Sequence, residues 1–503
     1  MSDPTRPLAA RIAGLTPSVF GAVLRSVWPI VVGFIVALLL QAALAPMLGP
    51  FYAKLLLDIG IAIVLAVSLN IVNGFAGQFS LGHAGFMMVG GYAAALITYY
   101  GSIKLGWIEP GAYGVEVHGG FMGPGDLLFL FACVFGGVVA ALAGLVVGLP
   151  SLRLRGDYLA IVTLGFGEIV RVLVQQSSDV LDPKAAAEVG WLTASKHLGG
   201  PLGFTGTPTY VSPTPWLEDA AGNQTGHAGI FFTFIFVTLV LIVAFRLKIS
   251  THGRALLAVR ENEVAAEAVG VNTSRAKVVA FVTAAFFAGI GGALFAHEVG
   301  TTLNPKELGF QKSIDLVIMV VIAGMGSISG VVYAATMLTI LPELLRDSAE
   351  YRMPIYALAL IVVMIVRPQG LFGIQEIWEL RPRLRFLKGA VIGAAIGAAS
   401  WLLFGWVLKV IHDDASKFLL ALRSFISALS AIGKLVLLGG LVAVAIFAVM
   451  MVAGAVFEKL RPKKLPTATA IAREASSERA GADLANAEDS PKAEASDDKD
   501  GGR

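Results

Sequence analysis

The chain has little of what keeps a protein in water. Charged residues make up 15% of its 503 positions, against about a quarter in an ordinary soluble domain. Its one cysteine, Cys133, lies inside an apolar run, which excludes an intrachain disulfide and a cysteine-based metal cluster. There is no G-x-x-x-x-G-K-[ST] phosphate loop, no H-E-x-x-H and no G-x-S-x-G, so energy from nucleotide hydrolysis must come from another chain. Deeply placed carboxylates and histidines are few, which argues against a proton- or sodium-coupled carrier. The net charge of +3 arises from basic residues scattered through loops and gives no footprint for nucleic acid.

What fills the space is apolar: 56% hydrophobic residues and 57 glycines, with a mean hydropathy of +0.76. A helix needs about twenty mostly apolar residues to cross a bilayer, and lipid offers the backbone no partners outside a helix or closed barrel. The fold class is therefore an all-α polytopic membrane protein of about 10–12 transmembrane or half-membrane helices. Spans are placed at 27–46, 54–72, 84–100, 126–149, 157–175, 229–246 and 277–296. An interrupted stretch follows at 314–342, then 354–366, 389–411 and 435–457. Residues 1–26, with Arg6, Arg11 and Arg25 but no convincing cleavage site, read as a cytoplasmic N-terminus ahead of a retained first span.

Basic residues near span ends set the orientation. Arg246, Lys248, Arg254, Arg260, Arg275 and Lys277 place 246–277 in the cytoplasm, whereas 176–227 carries only Lys184 and Lys196 and lies outside. The basic segment 367–388 joins the cytoplasmic side only if 314–342 makes two half-crossings or a re-entrant turn, with Gly324-Met325-Gly326-Ser327-Ile328-Ser329-Gly330 as its break. Both termini are then cytoplasmic. The tail 458–503 begins with Lys459, Arg461, Lys463 and Lys464, a topological signal and a weaker contact for anionic membrane lipid. Beyond it the chain is acidic, alanine-rich and almost without large apolar side chains, and reads as disordered.

Two segments carry chemistry. In 70–83, Asn70, Asn73, Gly77, Gln78, Ser80, Gly82 and His83 join two apolar helices without a charged loop. Polar, glycine-rich backbone at membrane depth lines a cavity or is buried in protein, and unwound helix ends offer donors and acceptors to a polar solute. The alternative is a hairpin turn packed by small residues. In 251–271, good helix formers at 254–269 end at Gly270, making an amphipathic helix suited to docking a soluble partner. Of the remaining charges, Lys54 with Asp58 and Glu168 with Arg171 read as helix-face pairs, and Asp315 as a carboxylate opening a span.

The runs Gly77-Gln78-x-Ser80-Leu81-Gly82-His83-Ala84-x-Phe86, Arg153-Leu154-Arg155-Gly156-x-Tyr158-Leu159-Ala160-x-Val162-Thr163-Leu164 and Arg260-Glu261-Asn262-Glu263 through Gly270 resemble LivM-type permeases of bacterial branched-chain amino acid ABC importers. Gly324-Met325-Gly326-Ser327 with Gly330, and Arg367-Pro368-Gln369-Gly370-Leu371-Phe372-Gly373, complete the order across a family-like core at 54–373. The resemblance implies a permease domain at 27–373 that pairs with a second, LivH-type permease and sits on two ATPase subunits. A periplasmic or lipid-anchored binding protein delivers leucine, isoleucine or valine. ATP and magnesium belong to the ATPases; this chain holds no cofactor, metal or catalytic residue. By the same resemblance 251–271 is the ATPase-coupling loop, with Arg260, Glu261, Glu263, Ala265, Ala266, Glu267 and Gly270 in it. The expected first glutamate of the family's motif falls at Val264, with Glu263 one residue earlier. Permeases of urea or short amides share these motifs, so that substrate class stays open. The chain departs from the family in its extra region 374–457, with two added spans. It departs again at Leu198-Gly199-Gly200-Pro201-Leu202-Gly203-Phe204, where the family's threonine and asparagine are missing.

Overall fold

Runs this apolar can hide their backbone polar groups only by coiling, and the computed structural model is helical throughout its long elements. It describes residues 19–41, 45–105, 124–151, 157–207, 229–298 and 302–344, with isolated positions at 357, 361, 365 and 370. Apart from those isolated positions the expected span 354–366 lies outside these residues, as do 389–411, 435–457 and the charged tail. Contacts separate a unit of Met1–Ser26 with Ala453–Arg503 from a unit of Val27–Val452; every contact described below lies within the second.

The elements are α1 (Val19–Leu39), α2 (Ala45–Asn70) with a π-helical turn Ile71–Phe75, α3 (His83–Lys104), α4 (Pro124–Ser151) and α5 (Asp157–Gln175). Two short helices, α6 (Pro183–Glu188) and α7 (Trp191–Ala194), lead to α8 (Gly229–Ile249). Then come α9 (Thr251–Glu261), α10 (Glu263–Ala268), α11 (Thr273–Ala296), α12 (Phe310–Ala323) and α13 (Ile328–Leu344). Among the described residues six helices are long and apolar enough to cross a membrane: α2, α3, α4, α5, α8 and α11. The only pairing of extended backbone among them is the antiparallel bridge Phe204–Leu303.

At the centre α11 packs against α4 and α3, with α2 beside it. Glycine lets these helices approach: a Cβ on Gly289 would stand 2.5 Å from the Ala140 methyl, 2.7 Å from the Gly136 carbonyl and 3.0 Å from Gly137 Cα. In a membrane, where helices gain little by leaving lipid, such close backbone contact is the main source of association. Gly289→Val therefore destabilises the bundle by about 3 kcal/mol, the upper end of overpacking costs, because two of the three neighbours are backbone. A lower midpoint of thermal unfolding in detergent checks this; an unchanged midpoint would contradict it.

The interrupted stretch 314–342 resolves into α12, 14 residues long, and α13, 17 residues long. At ~1.5 Å per residue α12 covers about 21 Å, too little to cross the ~30 Å hydrocarbon layer. The break lies at Gly324 and Gly326, both with positive φ. Asp315 does not open the helix as expected. Extended Gly309 starts α12 five residues earlier, so Asp315 sits in the second turn, beside Gln311. At the end away from α9 and α10, the segment 176–207 folds onto the bundle: Tyr99 donates to Leu181 O (2.8 Å) and Tyr100 to His197 O (3.0 Å). The divergent run at 198–204 belongs to this cap, since Phe204 is fully buried against Tyr92, Tyr99 and Tyr100. By contrast α4 and α5 leave apolar side chains such as Phe131, Leu142, Ile161, Ile169 and Leu173 exposed. Scattered over whole helix faces, they form a surface for lipid or a second subunit.

Candidate functional site: a re-entrant segment and the helices beneath it

Between α2 and α3 the chain does not make a surface hairpin. After the π-turn, Gln78 N–H returns to Val72 O (3.1 Å). α3 then begins deep in the bundle, with His83 Nε2 2.8 Å from Ser68 Oγ. Ser68 lies seven residues before the end of the π-turn, about 10 Å along the helix axis, so 76–82 runs back into the interior. Thr163 on α5 receives the Leu81 N–H (3.1 Å), and Ser313 on α12 receives the Ala84 N–H (3.1 Å). The first turn of α3 thus obtains from a neighbouring helix the cap its own sequence lacks.

The seven residues singled out in this segment have different surroundings. Asn70 is a staple: its Oδ1 accepts from Gly326 N (2.9 Å) and its Nδ2 donates to Ser327 O (3.4 Å), tying the first break to the second. Gly82 is wedged against the Thr163 carbonyl. His83 is buried, and because Ser68 donates to Leu65 O (2.7 Å) the hydroxyl accepts from His83 Nε2–H, which fixes the proton on that ring nitrogen. Gly77 lies at the surface of the break beside Arg260. Asn73 Oδ1 accepts from Ser80 N (3.2 Å). That leaves Asn73 Nδ2, Gln78 Oε1 and Ser80 Oγ, all buried and with no partner among the described residues. A buried polar atom without a partner costs about 1–3 kcal/mol. Three in one short segment form a neutral donor and acceptor set suited to a polar solute or ordered water. Phe75, Phe79 and Leu81 are interspersed with them.

The loop 251–271 forms two helices rather than the single one expected over 254–269. Asn262 is extended (φ −161°, ψ 112°) and its side chain accepts from Ala265 N (3.0 Å), capping α10. Ser250 and Asn272 cap α9 and α11 in the same way, at 3.0 and 2.9 Å. Gly270, at φ +85°, ends α10, with Val271 N bonded to Ala266 O (3.0 Å) and Gly270 N to Glu267 O (2.9 Å), the pattern of a glycine-terminated helix. These turns divide the residues singled out in this loop into two sets. Glu261, Ala265, Glu267 and Gly270 are exposed, together with Val264 (62%) and Val269 (79%). Ala266 is buried, Glu263 pairs with the buried Lys277 (2.5 Å), and Arg260 turns toward the bundle.

Other charges are structural or newly visible. Arg171 Nε donates to Glu168 Oε2 (2.6 Å) and NH1 to Gln175 Oε1 (3.2 Å). Lys54 is 3.9 Å from Asp58, but its hydrogen bond goes to Glu298 just beyond α11. Burial, with nearby Asp58, raises the Glu298 carboxyl to about 7. No pattern in the sequence points to this partner 244 residues away. Among the described residues no three histidine, cysteine or carboxylate side chains converge on a metal position.

Residues 51–367 match the family described as branched-chain amino acid transport system / permease component. The chain is 34% identical over 387 residues to the high-affinity branched-chain amino acid transport system permease protein LivM of Escherichia coli K12, covering 72% of this chain and 78% of that one. To a probable LivM of Methanocaldococcus jannaschii it is 23% identical over 331 residues, 64% of this chain and 88% of the other. A shorter stretch of 162 residues is 28% identical to the LivH permease protein of E. coli K12, covering 32% and 52%. No solved structure matches.

Proposed function

The chain belongs to the family of branched-chain amino acid transport system permease components, and from that premise we propose that it moves leucine, isoleucine, valine or similar neutral amino acids across the bacterial inner membrane. It is one permease of an ATP-binding-cassette importer. A second, LivH-type permease completes the path, two ATPase subunits supply the energy with their ATP and magnesium, and a binding protein delivers substrate from outside. Both termini and α9–α10 then face the cytoplasm. ATPase closure drives alternating access, and this chain performs no chemistry of its own.

The observation that carries the reading is the π-turn with the re-entrant segment 76–82, where Asn73 Nδ2, Gln78 Oε1 and Ser80 Oγ are buried without partners among the described residues, beside Phe75 and Phe79. Neutral hydrogen-bonding groups between apolar side chains suit a zwitterion with an aliphatic side chain, and they ask for no coupling ion. A urea or short-amide permease is the competing substrate class.

Gly270→Asp tests the coupling half. A Cβ added there meets nothing within 4 Å among the described residues, so the new side chain starts in open space. The left-handed conformation costs an L-residue about 1–2 kcal/mol and redirects the end of α10. The variant inserts into the membrane normally and loses ATP-dependent leucine uptake; normal uptake would remove the coupling role from this loop.

A further inference from the structure

Arg260 stands in the coupling loop by sequence, yet its guanidinium points away from the exposed face of that loop. NH1 donates to Gly74 O at 2.7 Å and to Met325 O at 3.3 Å. The first carbonyl belongs to the π-turn that ends α2, the second to the break between α12 and α13. Both lie where helices run out of N–H partners and carry partial negative charge, which a cation satisfies. One nitrogen therefore joins both broken helices to the helix at the surface.

The glycines around it are shaped to this side chain. A Cβ on Gly77 would stand 2.8 Å from Arg260 Cγ, and one on Gly326 would stand 2.7 Å from NH1. Both have positive φ, +66° and +95°, so each is glycine for conformation and for space. Two further bonds gather on the same turn: Lys248 at the end of α8 donates to Gly326 O (2.9 Å), and Asn70 accepts from Gly326 N (2.9 Å). Elements from α2, α8, α9 and the α12–α13 break are thus tied at one place, at the end of the re-entrant segment. Of these, α9 continues directly into α10 and its exposed Val264 and Val269.

We propose that Arg260 is the transmission residue of the permease: it fastens the ATPase-contacting helices to both helix breaks, so that displacement of α9 moves the two breaks together and opens or shuts the path beside them. The proposal rests on the permease reading and on α9–α10 as the ATPase contact. Arg260 is a positioning residue, acting on backbone that flanks the path. The two N–H bonds of NH1, held in the plane of a rigid guanidinium, can point at carbonyls on separate segments; a lysine ammonium on a flexible stem holds such a geometry less well.

The test uses the full complex in proteoliposomes, with leucine uptake and ATP hydrolysis measured together and ATPase co-purification as a second readout. Arg260→Ala is expected to retain the ATPase subunits, which go on hydrolysing ATP, while leucine moved per ATP falls at least tenfold; Arg260→Lys recovers part of the ratio. Gly77→Ala, which displaces the arginine stem without removing its charge, is expected to lower the ratio in the same direction, and it stands in if Arg260→Ala fails to accumulate. A wild-type ratio in either accumulated variant overturns the proposal, and so does loss of the ATPase subunits from Arg260→Ala, which would make the residue a docking contact. A wild-type complex without ATP-dependent uptake would overturn the permease reading and the clamp with it, whereas a wild-type ratio in the variants overturns the clamp alone.

Discussion

Aspartate at both Val264 and Val269 strips the ATPase subunits from the complex and brings ATP-dependent uptake to background. The two valines are 62% and 79% exposed on and just after a six-residue helix, and nothing in the bundle needs them. Burying a valine side chain contributes about 1.5–3 kcal/mol. Two at one contact are therefore worth roughly 100-fold or more in affinity at about 1.4 kcal/mol per decade. A carboxylate that must shed its water adds to the loss. Co-purification measured beside membrane insertion separates docking from folding. Undiminished co-purification of the double variant would show that the ATPases grip elsewhere.

Gln78→Leu lowers uptake at least tenfold while leaving the midpoint of thermal unfolding unchanged or higher. The two effects have one cause. Gln78 Oε1 is buried and without a partner among the described residues, so a leucine of similar volume removes a desolvation cost of about 1–3 kcal/mol and deletes an acceptor from the proposed path. A purely structural glutamine would give the opposite pattern, a lower midpoint with transport falling only in proportion. Asn73→Leu is a less clean variant, since Asn73 Oδ1 also holds Ser80 N.

The class of fold was legible because hydropathy over twenty residues is a property of composition, and both helix breaks were legible because glycine clusters with asparagine at the first and with serine at the second. Less was visible wherever a side chain's direction mattered. Good helix formers over 254–269 concealed the turn at Asn262, whose side chain caps α10 in place of continuing α9. Asn70 and Gln78 look equally available in the sequence. Only packing shows that Asn70 is spent on Gly326 and Ser327, whereas Gln78 Oε1 meets no partner among the described residues. Arg260 and Glu261 are neighbours on one helix, and the ~100° between successive residues sends one to the breaks and leaves the other in water. The Lys54–Glu298 contact joins residues 244 apart, a distance no local pattern spans. The family match supplied what geometry here does not, the kind of machine to which such a bundle belongs.

The most direct measurement is uptake of labelled leucine and of labelled urea by proteoliposomes holding the full complex, with and without ATP, and with this chain omitted as control. The account predicts leucine uptake that requires both ATP and this chain, with urea left outside. Urea uptake in place of leucine would contradict the substrate class, and uptake by this chain alone, indifferent to ATP, would contradict the mechanism.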